Sequence, residues 1–182
     1  KGPQLMKILE SFGRRGFRSL TLASSNLPRG VPLEDLCMKA PALENLRIHT
    51  CGTVAFSTKN PISFDAATAP KLRTIAVEGA DFLRPSHLNK LISHAGPELT
   101  EISITDAPLI DAALFRIILK AQCPLRVLKL VRVGFLDDTR KVLAASASTL
   151  ELLDLSDFRG MLALPGPFPV LAELRLNRTN AN

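Results

Sequence analysis

Seven times along the 182 residues of this chain, three apolar residues recur with the spacing L-x-x-L-x-L. The copies are Phe17/Leu20/Leu22, Leu43/Leu46/Ile48, Leu72/Ile75/Val77, Leu99/Ile102/Ile104, Leu125/Leu128/Leu130, Leu150/Leu153/Leu155 and Leu171/Leu174/Leu176. Their starts are separated by 26, 29, 27, 26, 25 and 21 residues, a regularity that chance does not easily produce. In each copy the second and third hydrophobes are two apart, so they share one face of a short strand while the residues between them face the other way. One such strand cannot bury its apolar side alone, and the copies must therefore stack on one another.

Spacing and motif are those of leucine-rich repeats, whose period is about 20–29 residues. A small or apolar residue and a further hydrophobe extend several copies: Ser25 and Leu27, Ala80 and Phe82, Ala107 and Leu109, Val133 and Phe135, with Cys51 in the second copy. The chain is thus expected to be an α/β leucine-rich repeat solenoid, right-handed, with parallel strands on the concave face and helices or irregular segments on the convex face. The strands fall near 17–23, 43–49, 72–78, 99–105, 125–131, 150–156 and 171–177. Helical patterns lie at 3–12, at 85–92 before an Ala95-Gly96-Pro97 stop, at 109–122, and at 136–146, where Asp137 and Asp138 suit the positive end of the helix dipole. Residues 160–169 carry Pro165, Pro167 and Pro169 and are expected to be extended. Residues 1–182 read as a single domain and as a fragment truncated at both ends, since copy seven stops without a returning segment.

Composition narrows the class of partner. Lysine and arginine number 23 against 17 acidic residues, a net charge of +6. Residues 1–60 hold nine basic and four acidic residues, so the positive excess is concentrated there, densest at Arg14, Arg15 and Arg18. With neither Trp nor Tyr to stack on bases, nucleic acid is a poor fit. Three cysteines, Cys37, Cys51 and Cys123, read as reduced thiols, because a chain of this size needs no disulfide staples. No apolar run approaches the roughly 20 residues that a bilayer requires, so no membrane role is expected.

Several copies open on proline: Ala40-Pro41-Ala42-Leu43, Ala69-Pro70-Lys71-Leu72 and Gly96-Pro97-Glu98-Leu99, with looser versions at Cys123-Pro124-Leu125 and Pro169-Val170-Leu171. This A-P-x-L-x-x-L cadence, together with the insertion-like stretch 56–64, resembles the leucine-rich region of fungal F-box proteins, those of mushroom-forming fungi in particular. The resemblance covers residues 17–176. It implies an intracellular substrate-recognition region of a ubiquitin ligase subunit, in cytoplasm or nucleus, which would reach the ligase adaptor only through an F-box that residues 1–40 do not contain.

The outward strand positions are where such a surface would hold a protein. Arg47, His49, Glu78, Glu101, Lys129, Val131, Leu152, Asp154 and Arg175 are the candidate partner-binding residues. Across the whole face, strand exits included, five basic and six acidic residues nearly cancel, and this mixed pattern suits a protein surface better than a phosphate backbone. Chemistry of its own is not expected. His49, His87 and His94 lack neighbours at metal-ligand spacing, and no nucleotide-binding, hydrolase or zinc-protease motif occurs. No catalytic residue, metal or cofactor is assigned. A glycosylation acceptor at Asn177-Arg178-Thr179 keeps a receptor or immune-sensor ectodomain open as an alternative, and the N-terminal arginines keep a basic nucleic-acid surface as a second.

Overall fold

The computed structural model describes residues 11, 16–23, 40–49, 71–79, 85–133, 139–157 and 164–178. Within them the fold is α/β: seven parallel strands form one sheet in the order of the chain. They are β1 (Ser19–Ala23), β2 (Asn45–His49), β3 (Thr74–Glu78), β4 (Glu101–Ala107), β5 (Val127–Val133), β6 (Leu152–Asp154) and β7 (Glu173–Arg175). Three helices, α1 (Pro85–Ala95), α2 (Ala113–Ala121) and α3 (Thr139–Ser146), lie in the connections after β3, β4 and β5. α1 packs against α2, and α2 against α3. Each of the seven expected strand regions holds a strand: β1, β2 and β3 lie within theirs, β4 and β5 run two residues past theirs, and β6 and β7 are only three residues long.

The proline cadence has a local cause. Leu43, Leu99 and Leu171 return their N–H to the carbonyls of Ala40, Gly96 and Phe168, each three residues back, at 2.9, 3.1 and 3.3 Å. Pro41, Pro97 and Pro169 thus stand at the second position of a tight turn, where a fixed φ near −65° is already correct. In the Cys123-Pro124-Leu125 version the bond spans only two residues, Leu125 N–H to Cys123 O at 3.0 Å. The turn delivers the first leucine of the motif into the core, where Leu43, Leu72, Leu99, Leu125 and Leu150 are all buried.

After the turn, register is passed from copy to copy through the backbone. The carbonyl of Arg18 accepts the N–H groups of both Glu44 and Asn45 at 2.9 Å. Glu44, Arg73, Thr100, Arg126 and Glu151 repeat the arrangement toward the next strand, with bonds of 2.7–3.1 Å. Leu46 therefore stands opposite Leu20 and Ile75, and Ile102 opposite Ile75 and Leu128. The inward residues of the strands join Leu88, Leu91, Ile92, Leu114, Phe115, Ile118, Val142 and Leu143 of the helices in one core.

Three departures from the sequence reading have physical reasons. Along β4 burial falls on Ile102, Ile104 and then Ala107, because Asp106 adopts a left-handed conformation (φ 54°) that breaks the period of two. Beyond Ala107 the chain turns, with the Ile110 N–H donating to the Ala107 carbonyl at 3.1 Å, so Ile110 is the next buried residue and Leu109 is 43% exposed, which corrects its placement in the motif. α2 begins at Ala113, four residues later than the pattern at 109, with the Asp111 carboxylate accepting the Ala113 N–H at 2.8 Å. Leu174 is 45% exposed although its neighbour Leu153 is buried, since no strand lies beyond β7 among the described residues. Residues 164–169 contain no helix, as their prolines require. The expected helix at 3–12 (beyond residue 11), the motif extensions at Ser25, Leu27, Cys51, Ala80, Phe82 and Phe135, and the stretch 56–64 lie outside the described residues.

Ile102→Ala, which empties a fully buried site between two strands, is expected to lower stability by about 2–5 kcal/mol in urea denaturation, while Leu109→Ala changes it by about 0.5 kcal/mol or less.

Candidate protein-binding face

The sheet face opposite the core is ordered into rows by the parallel register. Thr21, Arg47, Ala76, Ser103, Lys129, Asp154 and Arg175 form the central row. Ser19, Asn45, Thr74, Glu101, Val127, Leu152 and Glu173 form the row before it, and Ala23, His49, Glu78, Thr105 and Val131 the row after it. All nine candidate residues stand on these three rows, on strands β2 to β7. Val127, Lys129 and Val131 follow one another on this face of β5 and Leu152 stands beside Val127, all four half-buried, so that apolar side chains flank one cation.

Cross-strand contacts settle most of the charges. His49 Nδ1 lies 3.0 Å from Glu78 Oε2. Thr74 Oγ1 donates to Glu101 Oε2 at 3.3 Å. Arg175 reaches both Glu173 and, at 3.8 Å, Asp154 Oδ2. Asp154 is only 7% exposed, and its Oδ1 accepts the Ser156 N–H at 3.0 Å. It therefore shapes the turn after β6 besides presenting a carboxylate. The Ser156 hydroxyl beside it is buried without a hydrogen-bond partner among the described residues.

At the strand exits the charges form a second pattern, fixed by the backbone. Gly79, Asp106, Arg132, Asp157 and Arg178 occupy the same place in consecutive copies and all have left-handed backbone, with φ of 67, 54, 49, 56 and 55°. Such a conformation comes readily to glycine and aspartate and at a cost to arginine. Here the arginines are held by their neighbours. Arg132 forks onto Asp106, with Nη2 donating to Oδ2 at 2.7 Å, and its Nη1 lies 3.7 Å from Asp157 Oδ2. Arg178 Nη1 reaches Asp157 Oδ1 at 3.9 Å. The result is an alternating ladder, Asp-Arg-Asp-Arg, along one edge of the face. The alternation of sign is visible in the sequence once the copies are aligned, whereas the pairing of these side chains depends on the left-handed exits.

The hydrogen bond from Arg132 holds the Asp106 carboxyl below the usual carboxylate range and raises the guanidinium in turn. A lowered native pKa means that this pairing stabilises the fold above the usual carboxylate range, and that its contribution fades as pH falls below that range.

The remaining candidates offer other surfaces and little chemistry. His49 is tied to Glu78 and His94 is half-buried at the end of α1. Among the described residues no group of three or more His, Cys, Asp or Glu could hold a metal ion, and no helix is long and apolar enough to cross a membrane. Between α2 and α3 a pocket of about 360 Å³ is lined by Ile118, Cys123, Val142, Ser146 and neighbours. Burial pushes the Cys123 thiol up to about 11, which leaves little thiolate at neutral pH. Arg18 pairs with Glu44 at 3.6 Å, while Arg14 and Arg15 lie outside the described residues. Asn177 is exposed in the turn after β7 and not on the strand, and its carbonyl accepts the Asp157 N–H at 2.7 Å. No family model, curated protein or solved structure matches the chain.

Two measurements check these assignments. In an NMR titration the Asp106 carboxyl is expected to titrate below an ordinary aspartate, and Arg132→Gln is expected to return it to the usual range. Alkylation of Cys123 followed by mass spectrometry is expected to be slow at neutral pH in the native chain and fast once it is unfolded.

Proposed function

We propose that the chain is a right-handed leucine-rich repeat solenoid whose exposed sheet face binds a protein, and that it serves as the substrate-recognition region of an F-box-like ubiquitin ligase subunit without chemistry of its own. The observation that carries the binding half is the exposed face itself: a continuous surface across seven strands, with charges fixed by register and an apolar patch at Val127, Val131 and Leu152. Complementary charge of this kind sets the register and approach of a partner, while a half-buried apolar patch supplies contact area. Sequential parallel strands and turn-forming prolines at the head of the copies support the repeat assignment. The ligase half rests on the A-P-x-L-x-x-L cadence, and an F-box encoded ahead of Lys1 in the natural transcript is its direct test.

Charge reversal at Arg47, Glu101 and Lys129 together is expected to abolish capture of partner proteins from the source organism while leaving the circular dichroism spectrum unchanged. Reversal of Lys120, exposed on α2, is expected to leave capture intact. Identical sets of captured proteins from the triple variant and the parent chain would refute the proposal.

A further inference from the structure

The charges of the sheet face are satisfied unequally. Every carboxylate on it has a partner: Glu78 has His49, Glu101 has Thr74, Asp154 has Arg175, Glu173 shares Arg175, and Asp106 and Asp157 share Arg132. Arg47 and Lys129, both on the central row, have neither an ion-pair nor a hydrogen-bond partner among the described residues. The central row thus presents two cations that no described residue pairs, while Glu78 and Glu101, whose partners are an imidazole and a hydroxyl, keep their charge on either side of it.

Two small residues separate these two cations. Arg47, Ala76, Ser103 and Lys129 are neighbours in that order on β2, β3, β4 and β5. Three strand spacings of about 4.8 Å place the two cations roughly 14 Å apart. An extended chain advances about 3.3–3.6 Å per residue, so four residues cover the same span, and side chains at i, i+2 and i+4 face the same way. Ala76 and Ser103 leave room between the anchors for a side chain of the partner. Glu78 and Glu101 border that floor on either side and disfavour a third negative charge there.

We propose that this face takes an extended acidic segment of a protein, running across β2 to β5, with carboxylates at i and i+4 on Arg47 and Lys129 and a basic or neutral side chain at i+2 over Ala76 and Ser103. The assignment rests on the reading of this face as a protein-binding surface and specifies the chemistry of what it reads. The half-buried patch of Val127, Val131 and Leu152 lies next to Lys129, where apolar residues flanking the second carboxylate would sit. Because the anchors are solvated, binding is salt-sensitive and each contact is modest.

The test uses fluorescence anisotropy with a fluorescein-labelled peptide of core Asp-Ser-Lys-Ser-Asp. Saturable binding is expected, weakened about fivefold by Arg47→Glu or Lys129→Glu alone and by moving the aspartates to i and i+2. Replacing one aspartate by lysine is expected to weaken binding to the parent chain and to restore it to the Lys129→Glu variant. Arg47→Gln and Lys129→Gln, which remove charge without adding any, guard against a folding artefact. Absence of peptide binding, or equal binding to parent and doubly reversed chains, overturns the proposal. If the peptide fails while the triple variant still loses its captured proteins, the acidic-segment assignment falls and the binding face stands. If capture also survives, both fall.

Discussion

One backbone carbonyl at the head of each strand accepts two N–H groups from the next copy, and the rest of the architecture follows from that bond pair. Seen from Arg18 to Glu151, six such carbonyls run down one side of the sheet and set the strands in exact step. With the step fixed, the inward leucines and isoleucines of neighbouring copies stand opposite one another and close a single core. The same step aligns the outward residues into rows, so a charge on one copy meets a predictable charge on the next. Core and face are therefore two consequences of one register, and a slip of a single residue would exchange them.

Register also explains why the face is electrostatically organised although its composition is not distinctive. Cross-strand distances bring His49 to Glu78 and Arg175 to Asp154, and the left-handed exits bring Asp106, Arg132, Asp157 and Arg178 into one ladder. Ion pairs at such exposed positions contribute little stability individually. Their larger effect is on what remains: with Asp106, Asp154, Asp157 and Glu173 engaged by arginines, a partner meets Arg47 and Lys129, which no described residue pairs, bordered by Glu78 and Glu101. The half-buried Val127, Val131 and Leu152 place apolar area beside one of them.

Much of the fold could be read from the residues because the determining signals are local and periodic. The leucine triads located the strands, and the A-P-x-L cadence marked the turns at Pro41, Pro97 and Pro169. What could not be read depends on backbone conformation or three-dimensional neighbours. Nothing in the spacing indicates the turn after β4, closed by the Ile110 N–H on the Ala107 carbonyl, yet that turn leaves Leu109 exposed and buries Ile110. Asp154 looked like any outward carboxylate until the Ser156 N–H was seen to close a turn on it. All nine candidate face residues could be named from alternation alone. Which of them are committed to one another required the cross-strand geometry.

The most direct measurement is an amide NMR map of the chain on addition of the Asp-Ser-Lys-Ser-Asp peptide. The account predicts shifts concentrated at Arg47, Ala76, Ser103 and Lys129 and spreading to Val131 and Leu152, with α1, α2 and α3 unaffected. Shifts confined to the helices, or none on the central row at saturation, would contradict it.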